Sequence, residues 1–402
     1  MSLGNGRPYL AIPGPSVMPD RVLAAMHRAA PNIYGGPLHE MTASVVADLR
    51  RVARTTAHVA IYIANGHGAW EAANANLFSR GDRALVAING RFGEGWAASA
   101  ERLGVGVERI DFGRRAPAEP SRIAEALAAD RTGGIRAVLV THVDTASSVR
   151  NDIAAIRRAM DATGHPALLA VDAIASLGCD PLHMDEWGID VLVSASQKGL
   201  MVPPGLGFVW ISDRALERCR GSDLRTPYWD WGPRADPAEY WQHFCGTAPT
   251  HHLYGLREAL TMLLDEEGLE AAWARHRALA GAVWAAFDAW GREGAGQGGD
   301  IALNVADPAH RGSSVTAARI GGGGAGRLRD WCEAEAGVTL GIGLGMAEPG
   351  SAAYGDFLRV AHMGHVNAHM TLGALAVMEA GMRALAIPHG SGALEAAAAA
   401  IA

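Results

Sequence analysis

The sequence predicts an α/β protein in which a large domain is built on a mostly parallel, seven-stranded sheet between helices and a smaller C-terminal α+β domain follows. Two observations lead there. Short β-branched and apolar runs alternate with longer Ala- and Arg-rich amphipathic stretches through the first two-thirds of the chain, the pattern of βαβ units. Near Leu253 that alternation stops and a long helical stretch begins. A chain of 402 residues also exceeds a typical single domain.

The strand candidates, in order, are HVAIYIA at 58–64, RALVAI at 83–88, VGVERI at 105–110 and RAVLVT at 136–141. ALLAVD at 167–172, DVLVSA at 190–195 and GFVWIS at 207–212 complete the seven. Segments such as PSRIAEALAAD and NDIAAIRRAMDAT supply helices between them. From Leu253 to Trp290 the chain reads as long helix with a break near Gly268, since glycine weakens a helix interior. Beyond it lie a strand at IALNVA, a Gly-rich loop at 321–324, a helix at AGRLRDWCEAEA, a strand at FLRVAHM and a helix from Ala368. An Ala-rich terminal helix follows Gly390. The expected division is an N-terminal arm at 1–16, a large domain at 17–266 and a small domain at 267–402.

Composition narrows the function. Net charge is −7, and no basic run or aromatic–basic interleaving marks a nucleic-acid surface. Cys179, Cys219, Cys245 and Cys332 form no CxxC pair, so neither a disulfide framework nor a thiolate zinc site is expected. The opening MSLGNGRPYLAIPGPS does not read as a secretory leader, and no apolar run reaches the roughly 18 residues of a membrane span. A cytoplasmic enzyme acting on small molecules is the expectation, with no metal. His251, His252, His362 and His365 lack a carboxylate-rich partner set.

The most informative stretch is DVLVSASQKGLMVPPGLG at 190–207. Lys198 follows a strand and a short polar run, which places it at the rim of the sheet, where α/β sites form. A lysine with a lowered pKa there can form a Schiff base with an aldehyde. A surface loop lysine would have the same local pattern. Asp172 ends the preceding strand, 26 residues earlier, with one βα unit between. A carboxylate beside a pyridine nitrogen is what pyridoxal 5′-phosphate (PLP) chemistry needs. Helix capping is the other reading of that aspartate. A third element, IANGHGAWEAANANLF at 63–78, runs from a strand through Asn65, Gly66 and His67 into a helix, whose N-terminal N–H groups suit a phosphate. A plain turn would look alike. Neither GxGxxG nor GK[ST] is present, which speaks against a nucleotide-binding oxidoreductase.

Taken together, IPGPSVMPDRVLAAM, NGHGAWEAA, VAINGRFGEGWA, VTHVDTASSV, the run from Asp172 to Lys198, APTHHLYGLREAL and FLRVAHMGH resemble the class V aminotransferases of PLP fold type I. The similarity is specifically to the alanine/serine–glyoxylate group and, more distantly, to pyridoxamine–pyruvate aminotransferase. It implies that Lys198 carries the cofactor and shuttles protons, and that Asp172 pairs with the pyridinium. Asn65, Gly66, His67 and Gln197 would hold the phosphate, Phe92 would stack on the ring and Ile174 would pack on its other face. Thr145 would lie near the phenolic oxygen, since Ala146 stands where the family has a hydroxyl. Thr247 matches a phosphate ligand lent by a second subunit, implying a homodimer with shared sites. Arg359 matches the arginine that pairs with the substrate carboxylate. The implied reaction is transfer of an amino group from alanine or serine to glyoxylate or pyruvate. Another class V reaction, a lyase or pyridoxamine–pyruvate transamination, is the alternative. The Gly-Gly-Pro loop within 32–40 departs from the family pattern, and the loop at 341–356 carries no second arginine.

Overall fold

The computed structural model describes residues 3–292 and 300–402. Its strands are β1 (Tyr9–Ala11), β2 (His58–Ala64), β3 (Arg83–Ile88), β4 (Gly106–Asp111), β5 (Ile135–Thr141) and β6 (Leu168–Asp172), continuing with β7 (Val191–Ala195), β8 (Gly205–Ile211), β9 (Ile301–Leu303), β10 (Val315–Ile320), β11 (Val338–Ile342) and β12 (Phe357–Ala361). Seven of them form one sheet in the order β2-β8-β7-β6-β5-β3-β4. All seven expected strands of the large sheet are present, with ends within two residues of the sequence reading.

Within this sheet only β8 runs antiparallel to its neighbours. The other strands are mutually parallel, so β2, β3, β5, β6 and β7 end at one edge. Central strands β6 and β7 are buried along their whole length, as parallel strands covered on both faces must be. Edge strand β4 reads GVERID and keeps most of its side chains in water.

The second sheet has the order β1-β11-β12-β10-β9. Three of its strands escape the sequence reading. β1 has three residues and pairs parallel with β11, so the N-terminal arm is stitched into this sheet. β10 (VTAARI) and β11 (VTLGI) are short and rich in small residues, which leaves little alternation to see. β12 is central here, flanked by β10 and β11, and its Arg359 sits opposite Ala317 and Gly341.

The expected break in the long helical stretch is real. A helix over Thr250–Leu260 continues as a π-helical turn over Thr261–Glu267, stops at Gly268 with φ of 85°, and restarts as Leu269–Trp290. The entrance segment at 32–40 needs correction: only its first part is loop, because Pro37 opens the helix Pro37–Ala53, where its missing N–H costs nothing. No helix among the described residues is long and apolar enough to cross a membrane.

Candidate active site at the carboxyl edge of the large sheet

Asp172 is the last residue of β6 and only 2% exposed. Its Oδ1 accepts the Ile174 N–H at 2.7 Å, a tight local turn, and its Oδ2 accepts the Trp70 indole N–H at 3.0 Å. Burial pushes its pKa up to about 7, against the lowering pull of those two donors and of Lys198; the Asp144 charge adds to the rise. Asp172 is thus both a local turn-former and a buried carboxylate at the site.

Lys198 lies three residues beyond β7 and is 8% exposed. Burial, and next the positive charge of Arg359, lower its pKa to about 7. At neutral pH a large share of this amine is therefore unprotonated and nucleophilic. The N-terminal arm crosses the lysine loop: Nζ donates to the Pro13 carbonyl, Ser16 Oγ donates to the Lys198 carbonyl at 2.7 Å, and the Ser16 N–H donates to the Gln197 carbonyl at 2.9 Å.

Arg359 comes from the second sheet, 6% exposed. Its Nε donates to the Ile342 carbonyl at 2.7 Å and its Nη1 to the Thr145 carbonyl at 3.0 Å. Burial lowers its pKa to about 10, partly opposed by Asp144. Among the described residues no carboxylate forms an ion pair with it. An unpaired buried guanidinium is costly, and a ligand carboxylate would complete it.

The chain after β2 turns at Asn65 into the helix Gly66–Leu77. Here the Asn65 side chain has a local task besides the expected phosphate contact. Asn65 Oδ1 caps its own helix, accepting the His67 and Gly68 N–H groups at 3.0 and 3.4 Å. Asn65 and His67 are exposed, while Gly66 is buried against Ile174. A Cβ on Gly66 would come within 2.4 Å of Ile174 Cδ1, so any larger residue here would make the Ile174 side chain move. Phe92 follows β3, half-buried, with its ring edge-on to Trp70 at 6.2 Å.

Asp144 and Trp70 were not singled out from the sequence. Asp144, fully buried after β5, accepts four backbone N–H groups: Phe92 and Gly93 at 2.8 and 3.3 Å, and Ala146 and Ser147 at 2.9 and 3.2 Å. One carboxylate thereby ties the start of the helix Arg91–Arg102, which carries Phe92, to the turn that carries Thr145. Its two near partners make it look like an ordinary turn, while Phe92 and Gly93, 52 and 51 residues away, leave no local pattern to read.

The structure thus gathers Asp172, Lys198, Ile174, Gln197, Thr145 and Arg359 with the Asn65–His67 turn and Phe92. Thr247 stands apart, exposed and without a hydrogen bond among the described residues. Next to the cluster a cleft of about 1000 Å³ opens between the sheets, walled by Trp70 and Phe92 on one side and Ile342 and Phe357 on the other. Three arginines and three acids, Arg91, Arg114, Arg329, Glu94, Asp111 and Glu348, also line it, so it carries no net charge.

These residues fit PLP. The buried Lys198 amine of lowered pKa would suit an aldehyde, and the Asp172 carboxylate at the end of β6 would suit a ring nitrogen. Gln197 Oε1 is buried without a partner, a side-chain amide waiting for one. Its oxygen and nitrogen are interchangeable by a flip, which would present a donor to a phosphate.

The family described as Aminotransferase class-V matches residues 8–337. The serine–glyoxylate aminotransferase of Methylorubrum extorquens is 36% identical over 383 residues, covering 93% of this chain and 90% of that protein. The L-aspartate–glyoxylate aminotransferase of Paracoccus denitrificans is 35% identical over 388 residues, with 94% and 91% covered. Among solved structures, pyridoxamine–pyruvate aminotransferase from Mesorhizobium loti aligns with a TM-score of 0.87 at 26% identity, covering 100% of this chain and 99% of that one.

Proposed function

The chain belongs to the class-V aminotransferase family, and we propose that it transfers an amino group from a small amino acid, alanine or serine, to glyoxylate or pyruvate, using PLP. The observation that carries this reading is Arg359, a buried guanidinium with no ion-paired carboxylate among the described residues, held within the same cluster as Lys198 and Asp172. Its fork matches an α-carboxylate, the group that every amino donor and every 2-oxo acid shares.

When bound, PLP supplies an aldehyde that condenses with amines and a ring that accepts the electron pair released at the substrate α-carbon. Lys198 Nζ would hold it covalently and, once displaced by substrate, move the proton at the α-carbon. Asp172 would keep the ring nitrogen protonated. Gly66, His67, Gln197 and Thr247 would hold the phosphate, with Asn65 shaping that turn. Phe92 and Ile174 would face the two sides of the ring. Arg359 would orient the substrate so that the bond to be broken is aligned with the ring's π system. Thr247, exposed and unpartnered, supports a homodimer in which it serves the neighbouring site.

The cleft's lack of net charge supports substrates with small, uncharged side chains over those with a second carboxylate. The name of the Paracoccus relative makes aspartate the donor to beat. The test is a half-reaction screen: the PLP-loaded protein is mixed with single amino acids and no acceptor, following the cofactor's visible absorbance and 2-oxo acid release. Alanine and serine should give stoichiometric 2-oxo acid. Aspartate or glutamate as the best donor by a wide margin, or ammonia release in place of amine retention, would overturn the reading.

A further inference from the structure

The tryptophan that begins the second turn of the Gly66–Leu77 helix is 1% exposed. Its ring sits in a fitted slot. Trp96 stacks parallel to it at 6.2 Å, His67 lies tilted at 4.6 Å and Phe92 meets it edge-on. Gly95 leaves room for it: a Cβ there would stand 3.2 Å from Trp70 Cζ3. A buried indole N–H needs an acceptor, and a neutral one suffices. The neighbouring Trp96 shows this, donating to the Asn74 side-chain oxygen at 3.1 Å. Trp70 instead donates to the carboxylate at the end of β6, at 3.0 Å.

We propose that Trp70 is a positioning residue whose indole N–H fixes the rotamer and the charge of Asp172, the carboxylate assigned to the cofactor's ring nitrogen. This rests on the PLP reading above. Indole nitrogen is a donor only, so it bonds more strongly to the ionised carboxylate than to the neutral acid and offers no acceptor to an acid O–H. Burial works the other way, pushing Asp172 up towards neutrality, and the Ile174 N–H and Trp70 are the two hydrogen bonds that oppose it. With Oδ1 held by Ile174 and Oδ2 by Trp70, the carboxylate plane cannot turn without breaking a bond. Each oxygen retains a lone pair for a further donor.

The test is a double-mutant cycle read by cofactor binding. Apo-protein is titrated with PLP for wild type, Trp70→Phe, Asp172→Asn and the double variant, recording the dissociation constant and the visible absorption maximum of the bound form. Losing one charge-assisted hydrogen bond should weaken PLP binding about tenfold in Trp70→Phe. The absorption maximum should move in the same direction as in Asp172→Asn. In the Asp172→Asn background, Trp70→Phe should add less than about twofold, because both act through one carboxylate. Unchanged affinity and spectrum in Trp70→Phe would overturn the proposal. So would a tenfold loss in both backgrounds, which would make Trp70 only a wall. If Asp172→Asn itself binds PLP as wild type does, with an unchanged spectrum, the assignment of Asp172 fails and this inference falls with it. Should Trp70→Phe not fold, Trp70→Leu removes the same N–H with a smaller side chain and is read in the same cycle, with the same outcomes.

Discussion

Replacing Arg359 with lysine keeps a positive charge at the same place and removes the fork. In the folded protein the guanidinium spends its Nε on the Ile342 carbonyl and one Nη1 hydrogen on the Thr145 carbonyl, leaving N–H groups for a ligand. A carboxylate bound to a fork takes two parallel bonds, and an ammonium in its place keeps one. A hydrogen bond to a charged group contributes about 1.5–3 kcal/mol. Arg359→Lys should therefore raise KM for amino donor and 2-oxo acid together, by roughly ten- to a hundredfold. PLP affinity should stay within about twofold, because no cofactor contact is assigned to this residue. Thermal stability should fall only modestly, since the ammonium can keep one of the two carbonyl bonds and the buried positive charge is the same in both proteins. Steady-state kinetics for both substrates, paired with a PLP titration and a melt, reads all three. An arginine that serves only to join β12 to the Thr145 turn would give the reverse pattern: unchanged KM and a clear loss of Tm.

Three further outcomes follow from the geometry. Gly66→Ala drives a methyl into Ile174 Cδ1, displacing a side chain assigned to the cofactor's face, so PLP affinity should fall at least tenfold; a titration with wild-type affinity contradicts that packing. Lys198 has its folded pKa lowered from 10.5 to about 7, so between those values the unfolded chain binds the extra proton and apo-protein stability should rise with pH. Lys198→Met should flatten that rise in Tm between about pH 7 and 10; an identical slope in the variant refutes the shift. Thr247→Val should weaken PLP binding in a dimer, and a wild-type monomer that stays fully active on dilution would refute the shared site.

Much of the fold was legible because the large sheet is made of long β-branched runs set apart by Gly-rich turns. HVAIYIA and RALVAI coincide with β2 and β3 to the residue. β1 was not legible, since three residues carry no period and its pairing partner lies more than three hundred residues away. Lys198 and Asp172 stood out because each ends a strand, a position visible locally. Trp70 and Asp144 did not, because their roles are set by what they touch: an indole in a helix looks like core, and an aspartate in a loop looks like a turn. The phosphate turn was visible as a helix start, yet Asn65's preference for capping its own helix emerges only from the backbone it bends around.

The central claim is that Lys198 is the residue that binds the cofactor covalently. PLP-loaded protein is reduced with borohydride, digested, and its peptides are mapped by mass. The account predicts a single pyridoxyl-modified peptide with the label on Lys198, absent in Lys198→Met. Lys198 is the only lysine in the chain, so a label on any other group, or none on a protein that demonstrably holds PLP, would contradict it.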